Sequence, residues 1–385
     1  MANTYVQYGH PGKAVPLLQS LYEKGGRDWG LLEEWARALV KAGRKDAATQ
    51  RILERLEDDR DNDAGIWLLS TILSEIEVPD DALEVARNHL VRTPKREVFQ
   101  DVIIHTLQQS ERSTERLAYV EALVNGVTTV MRALAGGDRG RGPDIESVDA
   151  ALRPDEPYSL DSCQERLEQL RRHLTTAWIA AGRPREAETR VTEWLEASSE
   201  QQSRLNYLFL LAAAQRELRD EDRATETLRR ALLLDPELPG LNNDVAYGWI
   251  DKGVRLDEAE PMIRYAVFRL PREGAYLDTF GWLLYKKGQF ADAKRWLAMA
   301  LHARDDRDPV LLDHMGDTCW RLDDKDAARR FWKEAAEGIA GKAAKEIRSA
   351  DERRVRDVVG SKIEAADAGT EPAIAPLAVT ETPGS

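Results

Sequence analysis

Residues 275–301 read AYLDTFGWLLYKKGQFADAKRWLAMAL, and the apolar positions return every three or four residues. Leu277, Phe280 and Leu284 form one stripe with Gly281, Ala293, Leu297 and Ala300 form a second, and the polar run KKGQ separates them. Steps of three and four put side chains on one face of an α-helix, so the stretch predicts two amphipathic helices joined by a tight turn. Residues 310–336, VLLDHMGDTCWRLDDKDAARRFWKEAA, repeat the scheme: Gly316 replaces Gly281, Ala328 replaces Ala293 and Ala335 replaces Ala300, each 35 positions later.

The same alanine recurs along the chain at Ala14, Ala48, Ala82, Ala118, Ala187, Ala224, Ala259, Ala293 and Ala328. The successive separations are 34, 34, 36, 69, 37, 35, 34 and 35. The single 69 is close to two periods. A small residue at a helix crossing lets two backbones approach, whereas a bulky one forces them apart. Pro94, Pro236 and Pro271 each follow their ladder alanine by twelve residues. A missing amide there stops the second helix of a pair.

This pattern resembles the tetratricopeptide repeat (TPR), a helix pair with a period of about 34 residues. The resemblance is carried by Leu277, Phe280, Gly281, Leu284, Ala293, Leu297 and Ala300 in the unit beginning at Gly274. It extends over residues 1–336 and is best matched over 205–336, as in the terminal arrays of bacterial repeat proteins, several of them envelope-associated. It implies an all-α, right-handed superhelical solenoid of roughly nine or ten antiparallel helix pairs. Before residue 200 the ladder persists, but Arg55, His89, Asn125 and Trp194 stand where the family has a second alanine. Those units should pack less regularly.

The expected organisation is degenerate repeats over 1–135, a loop or eroded repeat over 136–160, the main array over 161–336, a capping helix over 337–366 and a disordered tail over 367–385. The stretch GGDRGRGPDIESVDAALRPDEPYSL is rich in helix breakers, predicting a loop at 136–144, a short helix at 145–152 and a long helix after it. In the repeat register Met1 falls at position seven, so the first helix is expected to begin upstream. GKAAKEIRSADERRVRDVVGSKIEAA reads as a charged helix with sparse apolar contacts at Ile347, Val355, Val358 and Val359, suited to covering the array's end.

Charge narrows the partners. A net charge of −13, with arginines and lysines interleaved among acids, argues against nucleic acid, which needs a basic face. Two cysteines, Cys163 and Cys319, offer neither a disulfide framework nor a zinc spacing. The N-terminus lacks a basic segment followed by an apolar run, and no stretch suits a membrane span, so the chain as written reads as cytoplasmic.

In the TPR family the first helix of each pair lines a concave groove. The resemblance places Asn243, Tyr247, Ile250 and Asp251 there, then Asp278, Trp282, Tyr285 and Lys286, then Asp313, Asp317, Trp320 and Arg321. Asn243, Asp278 and Asp313 recur at 35-residue intervals and imply a groove that prefers a basic or amide-rich protein segment. Aromatics at such positions either grip a ligand or fill the gaps between repeats.

The run LLDHMGDTCW (311–320) also raises a metal or catalytic site at His314 and Asp317. Cys319 falls at a core position of the repeat, which turns it away from the acids, and no strand-and-glycine phosphate motif or nucleophile elbow is present. The favoured expectation is a non-catalytic scaffold or adaptor, without cofactor, binding a partner segment in the groove. The alternatives are a structural subunit using its outer face, with the groove empty or self-occupied, and, remotely, a metal-dependent enzyme at His314 and Asp317.

Overall fold

A computed structural model describes residues 5, 9–25, 28–57, 62–93, 95–136, 148–155, 157–303, 308–342 and 349–378. The described residues form eighteen α-helices and no strand. They divide into two compact units, Met1–Arg183 and Pro184–Ser385.

The first unit holds α1 (Pro11–Lys24), α2 (Trp29–Lys41), α3 (Lys45–Leu56), α4 (Asp63–Glu75), α5 (Pro79–Leu90), α6 (Arg96–Gln109), α7 (Ser113–Gly136) and α8 (Leu160–Ala180). The second holds α9 (Pro184–Ala197), α10 (Gln201–Glu217), α11 (Glu221–Leu234), α12 (Pro239–Lys252), α13 (Leu256–Arg269), α14 (Gly274–Lys286), α15 (Phe290–Ala303), α16 (Pro309–Arg321), α17 (Lys325–Ala340) and α18 (Ala350–Asp367). In each unit helices pack on their sequence neighbours, the arrangement of an all-α TPR-type solenoid.

The alanine ladder is the core of these pairs. Ala14, Ala48, Ala82, Ala187, Ala224, Ala259, Ala293 and Ala328 are fully buried, as are Ala231, Ala266, Ala300 and Ala335 one helical step on. Two crossings are tighter still. A methyl added at Gly281 would come within 2.8 Å of Leu297 Cγ, and one at Gly316 within 2.4 Å of Trp332 Cδ1. The turn before the ladder position is left-handed five residues ahead at Gly43 and Gly288, which adopt it readily, and at Glu77, Arg219 and Asp323, which hold the same sign of φ at 67°, 61° and 63°; before Ala259 the left-handed residues are Gly253 and Arg255.

One rung differs from the sequence reading. Ala118 is exposed, and the slot five residues after the left-handed Glu111 belongs to Arg116, which is buried and donates to Thr176 Oγ1 at 2.7 Å. Two extra residues in the count hide this shift, and Leu123 rather than Asn125 supplies the second core position.

Around the eroded repeat, Gly136 ends α7, a 3₁₀ turn spans Ala150–Leu152, and α8 is the expected long helix. The short helix expected at 145–152 is thus only that turn among the described residues, the loop at 137–144 lies outside them, and so does most of the segment before Gly9.

The C-terminal end departs furthest from expectation. Beyond α17 the chain does not simply cap the last pair: α18 packs on both α17 and α16. Residues 368–378, expected to lack structure, continue from α18 and bond to α14 and α16. The physical reason is a set of charged and main-chain partners with no period in the sequence.

Candidate functional site

The site is the surface formed by the first helices of three successive pairs, α12, α14 and α16, with α18 and residues 370–378 laid on it. Asp308 starts α16 by accepting the amides of Val310 and Leu311, so the helix is fixed at its N-terminus. From there Asp313, Asp317 and Trp320 project by steps of four and three onto one face.

Asp313 and Asp317 are buried, and one cation serves both. Lys362 of α18, only 4% exposed at its side chain, donates from Nζ to Asp313 Oδ1 and Asp317 Oδ1, each at 2.7 Å. Trp332 Nε1 donates to Asp317 Oδ1 at 3.1 Å, and the Ala375 amide donates to Asp317 Oδ2 at 2.8 Å. Burial drags the Lys362 ammonium down, but the two carboxylates outweigh it and hold its pKa above the ordinary lysine value. Burial and the like charge of Asp313 push the Asp317 carboxyl up. A cation shared by two acids leaves one negative charge for hydrogen-bond donors to absorb.

A second cluster joins α12, α14, α16 and α18. His314 is buried; its Nδ1 pairs with Asp278 Oδ1 at 2.9 Å, and its ring stacks on Trp282 at 3.8 Å between centroids. Trp282 stacks in turn on Tyr285 at 4.4 Å and donates from Nε1 to Asp251 Oδ1 at 3.2 Å. Arg354 of α18 donates to Asp251 Oδ2 at 2.6 Å and pairs with Asp351 at 3.1 Å. Burial opposes the charged imidazole, yet Asp278 raises the His314 pKa overall; burial likewise opposes the Asp251 anion, and Arg354 lowers its pKa overall.

The tail is read mainly through its main chain. Tyr285 Oη donates to Ala375 O at 2.7 Å, Arg321 Nη2 donates to the same oxygen at 3.3 Å, and Lys286 Nζ donates to Pro376 O at 3.2 Å. The Ala378 amide returns a bond to Lys286 O at 3.1 Å, and Trp320 Nε1 donates to Glu371 Oε1 at 2.9 Å. Burial pushes the Tyr285 hydroxyl up to about 12 and the Lys286 ammonium down.

The site residues named from sequence thus fall into three sets. Asp317, Tyr285, Lys286, Trp320 and Arg321 touch the tail; Asp313 touches Lys362. Asp278 and Trp282 are spent inside the array, Trp282 bridging neighbouring repeats rather than facing a ligand. Asn243 is buried against Asp244, and Tyr247, Asp251 and Asp244 border a separate cleft of about 590 Å³ beside the start of α18.

The preference for a basic partner segment is corrected by these pairings. Of the carboxylates that suggested it, Asp278 pairs with His314, and the acids Asp313 and Asp251 of the same face hold two cations of the same chain, Lys362 and Arg354. Sequence reading missed both, although Val355, Val359, Lys362 and Ala366 follow one another by four, three and four, which puts a lysine on the apolar stripe of α18.

His314 and Asp317 face different partners, Asp278 and Lys362. Among the described residues no group of three His, Cys, Asp or Glu side chains comes together in a way that could hold a metal ion. No helix among them is long and apolar enough to cross a membrane.

No family model matches the chain. Over 113 residues it is 29% identical to a TPR repeat-containing protein of Pseudomonas aeruginosa; the match takes in 29% of this chain and 19% of that relative's length, so the chain spans about a fifth of the relative. Among solved structures, MamA from Desulfovibrio magneticus superposes on 46% of this chain and 97% of its own at 18% identity, with a TM-score of 0.38. A thermophilic TPR protein of Thermus thermophilus covers 46% and 93% at 19% identity, with a TM-score of 0.37. Pseudomonas aeruginosa pilF covers 54% and 95% at 18% identity, with a TM-score of 0.39. The repeat assignment rests on this chain's own alanine ladder and helix pairs.

Proposed function

We propose that this TPR-type array is a non-catalytic protein-binding scaffold whose groove over α12, α14 and α16 accepts an extended partner segment. In the state described, the chain's own C-terminus fills it. The observation that carries the reading is the treatment of Ala375: its amide is bound by Asp317, and its carbonyl by Tyr285 and Arg321. Main-chain recognition of an extended segment, with small pockets for its side chains, is how a rigid surface holds a peptide. A tail tethered to the same chain competes at an effective concentration on the millimolar scale, so partners must be tight or locally abundant to displace it.

The experiment is to loosen the tail in the full chain with Ile374→Asp and Ala375→Pro, and then measure anisotropy of a labelled synthetic peptide of residues 370–378. Saturable binding, lost when Tyr285→Phe and Arg321→Ala are added, supports the groove. A second reading is favoured by the burial of Pro372 and the contact of Ile374 with the core: the tail is a permanent last layer and the scaffold assembles through its outer face. In that case the loosened chain loses helicity and the peptide does not bind.

A further inference from the structure

The chemistry presented to the tail differs from the chemistry of the groove residues counted one by one. Asp313 and Asp317 share the Lys362 ammonium of α18, and Asp251 holds Arg354, so these acids already have cations of the same chain as partners. What remains on the surface is a row of donors: the Tyr285 hydroxyl, the Arg321 guanidinium, the Lys286 ammonium and the Trp320 indole. The Lys325 ammonium lies 3.7 Å from the centroid of the Trp320 ring. Against them the tail offers acceptors, the carbonyls of Ala375 and Pro376 and the carboxylate of Glu371. Among the described residues, the groove atoms that accept from it are Asp317 Oδ2 and the Lys286 carbonyl.

Shape adds to charge. Gly253 has φ +71°, and a methyl there would come within 3.1 Å of Ala378 Cα. The backbone of the segment passes so close that a side chain on that turn would have to push it back by a few tenths of an ångström. Pro372 is buried, and Ile374 packs on the cluster containing Met315, Trp320 and Trp332. Proline costs an extended segment little entropy on binding.

Resting on the groove reading above, we infer that the ligands of this groove form one class: proline-containing segments, turned once as Pro372 O accepts the Ile374 amide at 2.9 Å, that carry a carboxylate four residues ahead of a small residue, in the order acid, proline, any, apolar, small, proline. Residues 371–376 are the template in cis, and a partner bearing this pattern displaces them. Basic segments are the wrong chemistry for the same surface.

The test uses the full chain carrying Ile374→Asp and Ala375→Pro, checked for unchanged helicity, and labelled peptides of residues 370–378. Should that variant lose helicity, the wild-type chain with peptide in excess reports the same ranking, shifted only by the competing tail. The parent peptide should bind. Glu371→Lys in the peptide should weaken it by about tenfold, the loss expected for one charge-assisted hydrogen bond. N-methylation at Ala375, which removes the donor to Asp317, should weaken it comparably, and an oligolysine peptide of equal length should not compete. A parent peptide that binds while the Glu371→Lys peptide binds as well or better overturns the proposed pattern and leaves the groove reading intact. If no peptide, parent included, binds either protein, the groove reading fails and the pattern with it.

Discussion

The two compact units use one repeat and close it differently. In the second, the last two crossings hold Gly281 and Gly316 against Leu297 and Trp332, and apart from Trp194 in α9 the next core position is Ala231, Ala266, Ala300 or Ala335, all fully buried. In the first, the corresponding crossings hold Ala36, Ser70 and Ile104, and the next position holds Arg55, His89 or Leu123. Polarity there is absorbed locally: Ser70 Oγ donates to Ile66 O at 2.9 Å, and buried His89 pairs with Asp63 at 2.7 Å. Arg116 even occupies a ladder slot. The difference teaches that the period survives when the small-residue rule is relaxed and the main polar atoms find partners, even though Arg116 Nε is left without one among the described residues. The stricter unit is also the one whose first-helix surface has α18 and residues 371–378 laid on it.

The sharpest way to break the comparison is Gly316→Leu. The new side chain collides with Trp332 in a crossing that cannot open, and the second unit should lose about 3 kcal/mol or more. Hydrogen exchange should report the loss in α16–α18 and leave α2–α6 protected. Ser70→Ala is the first-unit counterpart and should cost about 1 kcal/mol or less, because the hydroxyl is satisfied by its own helix.

Next in size is Lys362→Met. Removing the cation leaves two buried carboxylates facing each other, worth about 3 kcal/mol of destabilisation at neutral pH. Protonating one of them should recover part of the loss as pH falls. In the unaltered chain the sign is the reverse at the other end of the scale. The folded Lys362 ammonium holds its proton more tightly than an ordinary lysine, whose pKa is 10.5, so its contribution is complete below that pH. It fades as pH rises through the folded value. Chemical denaturation across this range should show α18 released first.

Ala375→Pro removes the donor to Asp317 and restricts Ile374 before it, and a loss of about 1 kcal/mol is expected. It should appear as faster proteolysis or exchange at 371–378 with global unfolding unchanged. The smallest effect is a gain: Glu77→Gly and Asp323→Gly relieve a left-handed turn in each unit and should each stabilise by about 1 kcal/mol. Equal gains would show that the turns, unlike the crossings, are the same device in both units.

Much of the architecture was legible because burial in a helix pair is periodic. Ala224, Ala259, Ala293 and Ala328 announce the second unit, Gly281 and Gly316 announce its closest crossings, and Asp313, Asp317 and Trp320 share a face because α-helical geometry leaves no alternative. Where the period slips the reading slips with it. Ala118 was two residues off its slot because an arginine is not expected in a small-residue position.

What the linear pattern could not contain is pairing at distances that belong to no period. Lys362 reaches Asp313 and Asp317 from 49 and 45 residues away, Arg354 reaches Asp251 from 103, and Ala375 meets Tyr285 from 90. The sequence by itself determined the helices, their pairing and the face that becomes a groove, because those follow from local spacing and side-chain size. Only the tertiary structure decided that α18 supplies cations to the acids of that face and that residues 371–378 lie on it. A carboxylate's preference for a partner depends on which charge already sits within hydrogen-bond reach.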